Sequence, residues 1–201
     1  MIGLIVATRL EADPLIGLLG LNAVPYDPFP VFEGRGVRLI ISGIGKTNAA
    51  MATTFLILRS PLKCICNLGA AGATGECWSL GACLHVWRVI EPDRIDFETR
   101  KPKYHDLDTL EGFSTVSLAT QDSPVVDIEQ RRVLAPLAEL VDMEGAAVTQ
   151  TCHRMRVRCH VFKFISDTPE HGDVGLIRDN IFKHREAFAR FFVHEVRPHL
   201  A

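Results

Sequence analysis

Two features are missing from the 201-residue sequence: a long hydrophobic run and an excess of charge of one sign. Because no stretch of about 18 apolar residues is present, we expect no helix that crosses a membrane. Residues 1–10 carry no basic leader of the kind that opens a signal peptide. Lys and Arg number 22 against 24 Asp and Glu, for a formal net charge of -2, so the basic surface of a nucleic-acid-binding protein is not expected. We therefore expect a cytoplasmic protein that acts on a small molecule and has neither nucleic-acid nor membrane partners.

The chain also lacks low-complexity tracts and linkers rich in Pro, Gly or Ser. Hydrophobic residues make up 47% of the sequence and charged residues 23%, which is the balance of a globular protein with a sizeable core. We expect one domain over residues 1–201. The six cysteines are expected to be reduced and buried as small hydrophobic residues, because a chain of this length without a leader does not resemble a disulfide-stapled scaffold. Metal-ligand spacing is not apparent, so we predict neither a metal nor a cofactor.

Short apolar runs alternate with helix-like segments along the chain. This alternation predicts an α/β fold with a largely parallel sheet that is covered on both faces by helices. Ligands of such sheets bind beyond the carboxyl ends of the strands. The small-residue stretch 69–73 is predicted to be a turn, and the charged segment 91–112 an excursion or flap. The predicted strands are 2–7, 37–42, 64–68, 82–90, 113–119, 140–141 and 159–165, and the predicted helices are 10–19, 46–59, 143–155 and 174–196.

The sequence Gly45-Lys46-Thr47 invites comparison with a phosphate-binding loop. That motif also requires a glycine five residues before Gly45, where this chain has Ile40. The ATPase interpretation therefore fails. What remains is a glycine turn before a helix, which either lines a polar pocket or only closes the turn.

Three carboxylates follow three predicted strands. Asp167 is either a cap or turn residue or a general acid, and Glu144 is either a partner of the helix dipole or a ligand of vicinal ribose hydroxyls. Glu11 begins the first helix and, with Arg9, places a carboxylate and a guanidinium at one strand end. Cleavage of an N-glycosidic bond uses such a set, because it needs a proton donor for the base and carboxylates around the sugar and the attacking water.

The order of these motifs resembles the methylthioadenosine/S-adenosylhomocysteine nucleosidases and their relatives in the nucleoside phosphorylase superfamily. The resemblance spans nearly the whole chain. Its matching segments are residues 3–11, 42–46, 67–72, 141–146 and 165–167. It implies a nucleoside phosphorylase-like fold, with a central, mixed and largely parallel twisted sheet flanked by helices, and a homodimer or higher homo-oligomer.

The resemblance also assigns roles. Asp167 matches the aspartate that protonates the purine at N7, and Glu144 matches the glutamate that binds the ribose hydroxyls beside Met143. Glu11 matches the glutamate that positions the attacking water. Further positions expected to bind substrate are Gly43, Gly45, Gly69, Ala70, Pro124, Val125, Ser166 and Arg9.

Two positions depart from the family pattern. Ala70 stands where the nucleosidases usually carry a serine near the sugar, and Pro124 stands where an aromatic side chain stacks on the purine. The chain between the third strand and Pro124 is also shorter than in the well-known members. These departures point to an unusual base or 5′ substituent.

Three functions remain open at this point. The first is hydrolysis of a purine or 5′-modified nucleoside such as methylthioadenosine, S-adenosylhomocysteine or a futalosine-like compound, with Glu11 orienting the water. The second is phosphorolysis, in which Arg9 binds phosphate through its forked guanidinium. The third is a nucleoside-binding protein that keeps the fold without the chemistry.

Overall fold

The computed structural model describes residues 1–171 and 173–200. In this part of the chain, ten strands form one mixed sheet and five α-helices cover it. The strands are β1 (Ile2–Val6), β2 (Asn22–Val24), β3 (Val31–Gly34), β4 (Val37–Ile41), β5 (Cys64–Ala73), β6 (Cys83–Ile95), β7 (Pro102–Asp106), β8 (Thr115–Thr120), β9 (Leu140–Asp142) and β10 (Arg158–Asp167). The helices are α1 (Arg9–Leu19), α2 (Lys46–Arg59), α3 (Ile128–Leu134), α4 (Gly145–Met155) and α5 (Val174–Phe191).

The sheet closes on itself around β5. The sheet order is β10-β6-β8-β9-β5-β1-β4-β3-β2, with β10 also paired to β5 and β7 to β6. Along one edge, β5 pairs with β1 through Leu68 and then with β9 at Gly72 and Ala73, while β10 follows its other edge. Strands β5, β10, β6, β8 and β9 therefore form a closed ring. The mixed sheet flanked by helices confirms the predicted fold class.

Two apolar layers bury the two faces of the sheet. Leu4 faces a core shared with α1 and α5, whereas its neighbour Ile5 faces a core shared with α2 and α4. This alternation follows from the two-residue period of a strand. It explains why β1, which is buried on both faces, is apolar throughout.

The small-residue stretch 69–73 is not a turn, and this prediction was wrong. The backbone stays extended to Ala73, and β10 pairs with it as far as Gly72. The small residues do not bend the chain. They leave room above the strand for the carboxylates of Glu11 and Asp167.

The charged segment 91–112, predicted to be an excursion or flap, is partly strand. Strand β6 continues to Ile95 and forms a hairpin with β7. Its charges pair with one another: the buried carboxylate of Glu91 lies 3.1 Å from Arg94 Nη1 and 3.7 Å from Lys46 Nζ. A charged composition is typical of a loop, so composition alone does not reveal a strand whose charges are neutralised by ion pairs.

Smaller differences concern the helices and the cysteines. The last α-helix ends at Phe191, and the chain continues as a π-helical turn and a 3-10 turn. Strands β2, β3 and β7 and helix α3 were not predicted. All six cysteines are free, but Cys77 is exposed and Cys83 only half-buried, contrary to the expectation of general burial. Among the described helices, none is long and apolar enough to cross a membrane.

The backbone conformation of α1 can be tested by replacing its glycines. Gly17 lies on its exposed face, and a Cβ atom added there would meet nothing within 4 Å. We expect Gly17→Ala to raise the free energy of unfolding by about 0.5–1 kcal/mol, because alanine restricts the unfolded chain more than glycine does. Urea unfolding measures this change.

The matched control is Gly20→Ala at the end of the same helix. Gly20 has φ of 60°, where a side chain is strained, so this substitution is expected to destabilise. Changes of the same sign in both variants would contradict the described course of α1.

Candidate active site

A cavity of about 180 Å³ opens where several strands end. Strand register brings its walls together. Asp167 of β10 pairs with Gly72 of β5, and Gly72 pairs with Val141 of β9. The residues that line the cavity are Ala7, Thr8, Glu11, Ile44, Ala70, Ala71, Gly72, Pro124, Val125, Val126, Val141, Asp142, Met143, Glu144, Ser166, Asp167, Ile177 and Ile181.

Glu11 is held at the entrance of α1 by its own helix cap. Thr8 accepts a hydrogen bond from the Glu11 backbone N–H, and its hydroxyl lies 2.5 Å from Glu11 Oε2. Oε1 accepts a hydrogen bond of 2.9 Å from the backbone N–H of Ala70. A Cβ atom at residue 69 would stand 2.9 Å from Oε1, so Gly69 allows the carboxylate to approach the strand. Both oxygens are therefore fixed, and the carboxylate lines the cavity.

Glu144 precedes α4 and is almost completely buried. Its Oε1 accepts a hydrogen bond of 2.9 Å from the backbone N–H of Gly45. Burial, and then the neighbouring charge of Asp142, raise the pKa of Glu144 from its usual 4.5 to about 7, although Lys163 and the Gly45 N–H act in the opposite direction. Near neutral pH, Glu144 is therefore present both as the acid and as the carboxylate.

Lys163 and Asp142 form a buried ion pair beneath the cavity. The distance from Nζ to Oδ2 is 2.8 Å, and each side chain is 1% exposed. Burial lowers the pKa of Lys163, but Asp142, Glu144 and Glu11 outweigh it, so the pKa is raised and the ammonium stays charged. The other oxygen of Asp142 lies 2.5 Å from the hydroxyl of Thr120.

Asp167 ends β10 with both carboxylate oxygens engaged. Oδ1 accepts a hydrogen bond of 2.5 Å from the Ser166 hydroxyl, and Oδ2 pairs with Arg131 Nη2. A Cβ atom on Gly72 would stand 2.5 Å from Oδ2, so only glycine fits at that position. Asp167 lines the cavity and is 4% exposed.

The structure brings most of the residues predicted from the sequence to this cavity. Eight of them line it: Glu11, Ala70, Pro124, Val125, Met143, Glu144, Ser166 and Asp167. Their individual roles stay predictions.

Four predicted residues do not line the cavity. Gly45 and Gly69 lie behind it, against the carboxylates of Glu144 and Glu11, and Gly43 turns the chain with φ of 85° beside Asn48. Gly45 and Gly69 therefore support the two carboxylates from outside the cavity.

Arg9 also lies outside the cavity, contrary to the prediction that it binds substrate. Its guanidinium is exposed, pairs with Asp13 one turn along α1 and lies over the ring of Phe32. The helix turns this side chain away from the carboxylate of Glu11.

Three charged residues of the site were missed. Asp142 and Lys163 form the ion pair, and Arg131 binds Asp167. A lysine within the apolar strand 159–165 was an available signal, because lysine is buried only when it is paired. No group of three or more His, Cys, Asp or Glu side chains is placed to hold a metal ion within the described part of the chain.

Comparisons with known proteins agree with this fold. The model of the phosphorylase superfamily matches residues 107–196. The resemblance found in the sequence is thus confirmed: the chain is similar to members of the superfamily of nucleoside phosphorylases and nucleosidases.

Two relatives with similar sequences are nucleosidases. The 5′-methylthioadenosine/S-adenosylhomocysteine nucleosidase of Staphylococcus haemolyticus is 29% identical over 196 residues, covering 83% of this chain and 86% of the relative. That of Shewanella loihica is 29% identical over 161 residues, covering 67% and 70%.

Solved structures share the fold. The Helicobacter pylori methylthioadenosine/S-adenosylhomocysteine nucleosidase, in complex with a pyrrolopyrimidine-pyrrolidine compound, superposes with a TM-score of 0.87 at 21% identity, covering 98% of this chain and 97% of that one. The native futalosine hydrolase of the same organism gives the same TM-score, identity and coverage.

The raised pKa of Glu144 predicts a pH-dependent stability. Between about pH 4.5 and 7 the folded protein binds more protons at this residue than the unfolded chain, so the free energy of unfolding falls as pH rises through this window. Glu144→Gln keeps the oxygen that accepts from Gly45 and removes this loss. We expect the variant to be more stable than the wild type by about 1–3 kcal/mol at pH 8 and to differ little at pH 4.5.

Urea unfolding at a series of pH values measures the difference. Glu98→Gln, at an exposed position, is the control and should give a difference that hardly changes with pH. A pH-independent difference for Glu144→Gln as well would contradict the burial of this carboxyl group.

Proposed function

We propose that the protein is a nucleosidase that hydrolyses the N-glycosidic bond of a 5′-modified purine nucleoside, such as methylthioadenosine, S-adenosylhomocysteine or futalosine. The observation that carries the proposal is the meeting of Glu11, Glu144 and Asp167 around one cavity, although they are far apart in the sequence. The proteins most similar in sequence that were described above are nucleosidases of this kind.

In the proposed reaction, each of the three carboxyl groups has a separate role. As the bond between ribose C1′ and the base breaks, its electron pair moves to the base, and Asp167 gives the base a proton. Glu144 binds the ribose hydroxyls, while Glu11 orients a water molecule and takes its proton as the water attacks C1′. One water molecule is consumed, and the free base and the free sugar are released.

The remaining wall of the cavity fits a 5′-modified sugar. Ile44, Val126, Ile177 and Ile181 bring apolar side chains to the cavity, and a 5′ substituent such as a methylthio group is itself apolar. Pro124 and Val125 lie at the base end, because the Val125 carbonyl shares Arg131 with Asp167.

Hydrolysis is favoured over phosphorolysis because the described lining of the cavity offers no cationic side chain to bind phosphate. None of the described residues that line the cavity is Arg, Lys or His. A phosphate ion needs a charge-assisted partner, and Arg9 is paired with Asp13 outside the cavity. Water has no such requirement.

We also propose that the protein works as a homo-oligomer. Several large apolar side chains are exposed on the single chain, among them Phe97 at 93%, Leu58 at 70% and Ile44 at 54%. Large apolar side chains are enriched in the interfaces of homodimers.

The activity test is the release of base from methylthioadenosine, S-adenosylhomocysteine, adenosine, inosine and futalosine in buffer without phosphate. We expect turnover by the wild type. Asp167→Asn and Glu11→Gln should lower kcat by about 10² to 10⁴, because each removes a proton-transfer group. Asp13→Asn, on the same helix as Glu11 but exposed, should retain the wild-type rate.

The alternatives give different results. Turnover that strictly requires added phosphate would indicate a phosphorylase. Tight binding of a base without turnover, unchanged by Asp167→Asn, would indicate a binding protein without catalysis.

A further inference from the structure

Arg131 is a fully buried guanidinium at the base end of the cavity. Nη1 donates a hydrogen bond of 2.6 Å to the carbonyl of Ala73, and Nη2 donates one of 2.9 Å to the carbonyl of Val125. Nη2 also pairs with Asp167 Oδ2. One side chain of α3 thus joins the end of β5, the wall of the cavity and the carboxyl group at the end of β10.

A contribution to stability alone explains this arrangement poorly. A buried ion pair stabilises a fold little more than apolar side chains of the same volume, because both charges lose their hydration. Arg131 Nε lies buried without a hydrogen-bond partner within the described chain, which adds a further unfavourable contribution. The contacts of Arg131 with Ala73, Val125 and Asp167 therefore point to a role other than packing.

These contacts determine the direction of the Asp167 carboxyl group. Ser166 contacts one oxygen and Arg131 the other, and each oxygen keeps a second lone-pair site, one of which can carry the proton to be transferred. The sites that remain are available to a ligand in the cavity. Gly72 makes the pairing possible, since a Cβ atom there would stand 2.5 Å from Asp167 Oδ2 and 3.1 Å from Arg131 Nη1.

We propose that Arg131 is a positioning residue for protonation of the leaving base, an inference that rests on the proposed nucleosidase function. When Asp167 transfers its proton to the base, the electron pair of the broken glycosidic bond remains on the base and Asp167 becomes a carboxylate. Negative charge thus appears beside the Arg131 guanidinium during the step itself. The attraction is stronger in the transition state than in the bound substrate, so it raises kcat rather than lowering KM. A solvent proton restores Asp167 before the next turnover.

The other charged groups at the cavity do not replace Arg131. Glu11, Asp142 and Glu144 are acidic, and the one cation among their close partners, Lys163, is paired with Asp142. Arg131 is the cation that pairs with Asp167 in the described structure.

The experiment compares two leaving groups on one 5′-methylthioribose. Methylthioadenosine requires a proton on the departing adenine, whereas the 4-nitrophenyl glycoside releases a stable phenolate without one. For Arg131→Met we expect kcat with methylthioadenosine to fall roughly 100-fold at similar KM, within the range for loss of acid catalysis. Cleavage of the nitrophenyl glycoside should change less than about 3-fold, because acid catalysis contributes little to it.

Two further variants separate this role from a structural one. Arg131→Lys keeps the charge and should recover a large part of the activity on methylthioadenosine. Arg132→Met, at the exposed next position of α3, is the matched control and should behave as wild type. Thermal unfolding is measured for each protein. If Arg131→Met does not fold, Arg131→Gln replaces it, since its amide is uncharged but can still donate a hydrogen bond to a neighbouring carbonyl, and it should cause the same selective loss.

Equal losses on both substrates, or no recovery with Arg131→Lys, would overturn the inference. These outcomes are distinct from a failure of the proposed function. If the wild type releases base from none of the purine nucleosides, the nucleosidase function itself fails. An active wild type whose Arg131 variants lose both substrates equally contradicts only the role of Arg131.

Discussion

The site depends on compensating a concentration of negative charge. Glu11, Asp142, Glu144 and Asp167 line a cavity of about 180 Å³, and buried carboxylates repel one another and lose hydration. Two buried cations partly neutralise this negative charge: Lys163 pairs with Asp142, and Arg131 pairs with Asp167. Glu144 has no salt-bridge partner of its own in the described chain, and burial, followed by the neighbouring charge of Asp142, raises its pKa.

Backbone N–H groups stabilise the two carboxylates that have no buried cation as a partner, and the course of β5 allows these carboxylates to approach. The N–H of Ala70 binds Glu11, and the N–H of Gly45 binds Glu144. Gly69 and Gly72 remove the Cβ atoms that would collide with Glu11 and Asp167. Because β5 belongs to the closed ring and also pairs with β1, this one strand places its small residues under carboxylates from two different parts of the chain.

The sequence predicts those parts of the structure that leave a local pattern. Continuous apolar runs mark β1 and β4, and the three principal carboxylates follow strands, where α/β sheets bind ligands. What could not be predicted depends on contacts between distant segments. The stretch 69–73 has the composition of a turn and is a strand because β10 pairs with it. Arg131 resembles its exposed neighbour Arg132 in the sequence, and only the folded chain shows that one of them reaches Asp167.

The distribution of charge also explains how one small cavity could serve two opposite demands. Breaking a glycosidic bond leaves positive charge on the ribose and negative charge on the base. In the proposed reaction, Glu11 and Glu144, which lie away from the Arg131 pair, favour the positive charge on the ribose. Arg131 favours the negative charge that Asp167 acquires as it protonates the departing base. A cavity that was acidic throughout would stabilise the sugar cation but oppose departure of the base. In the proposed reaction the buried Arg131 at one end removes that conflict, and the fold itself sets its distance from Glu11 and Glu144.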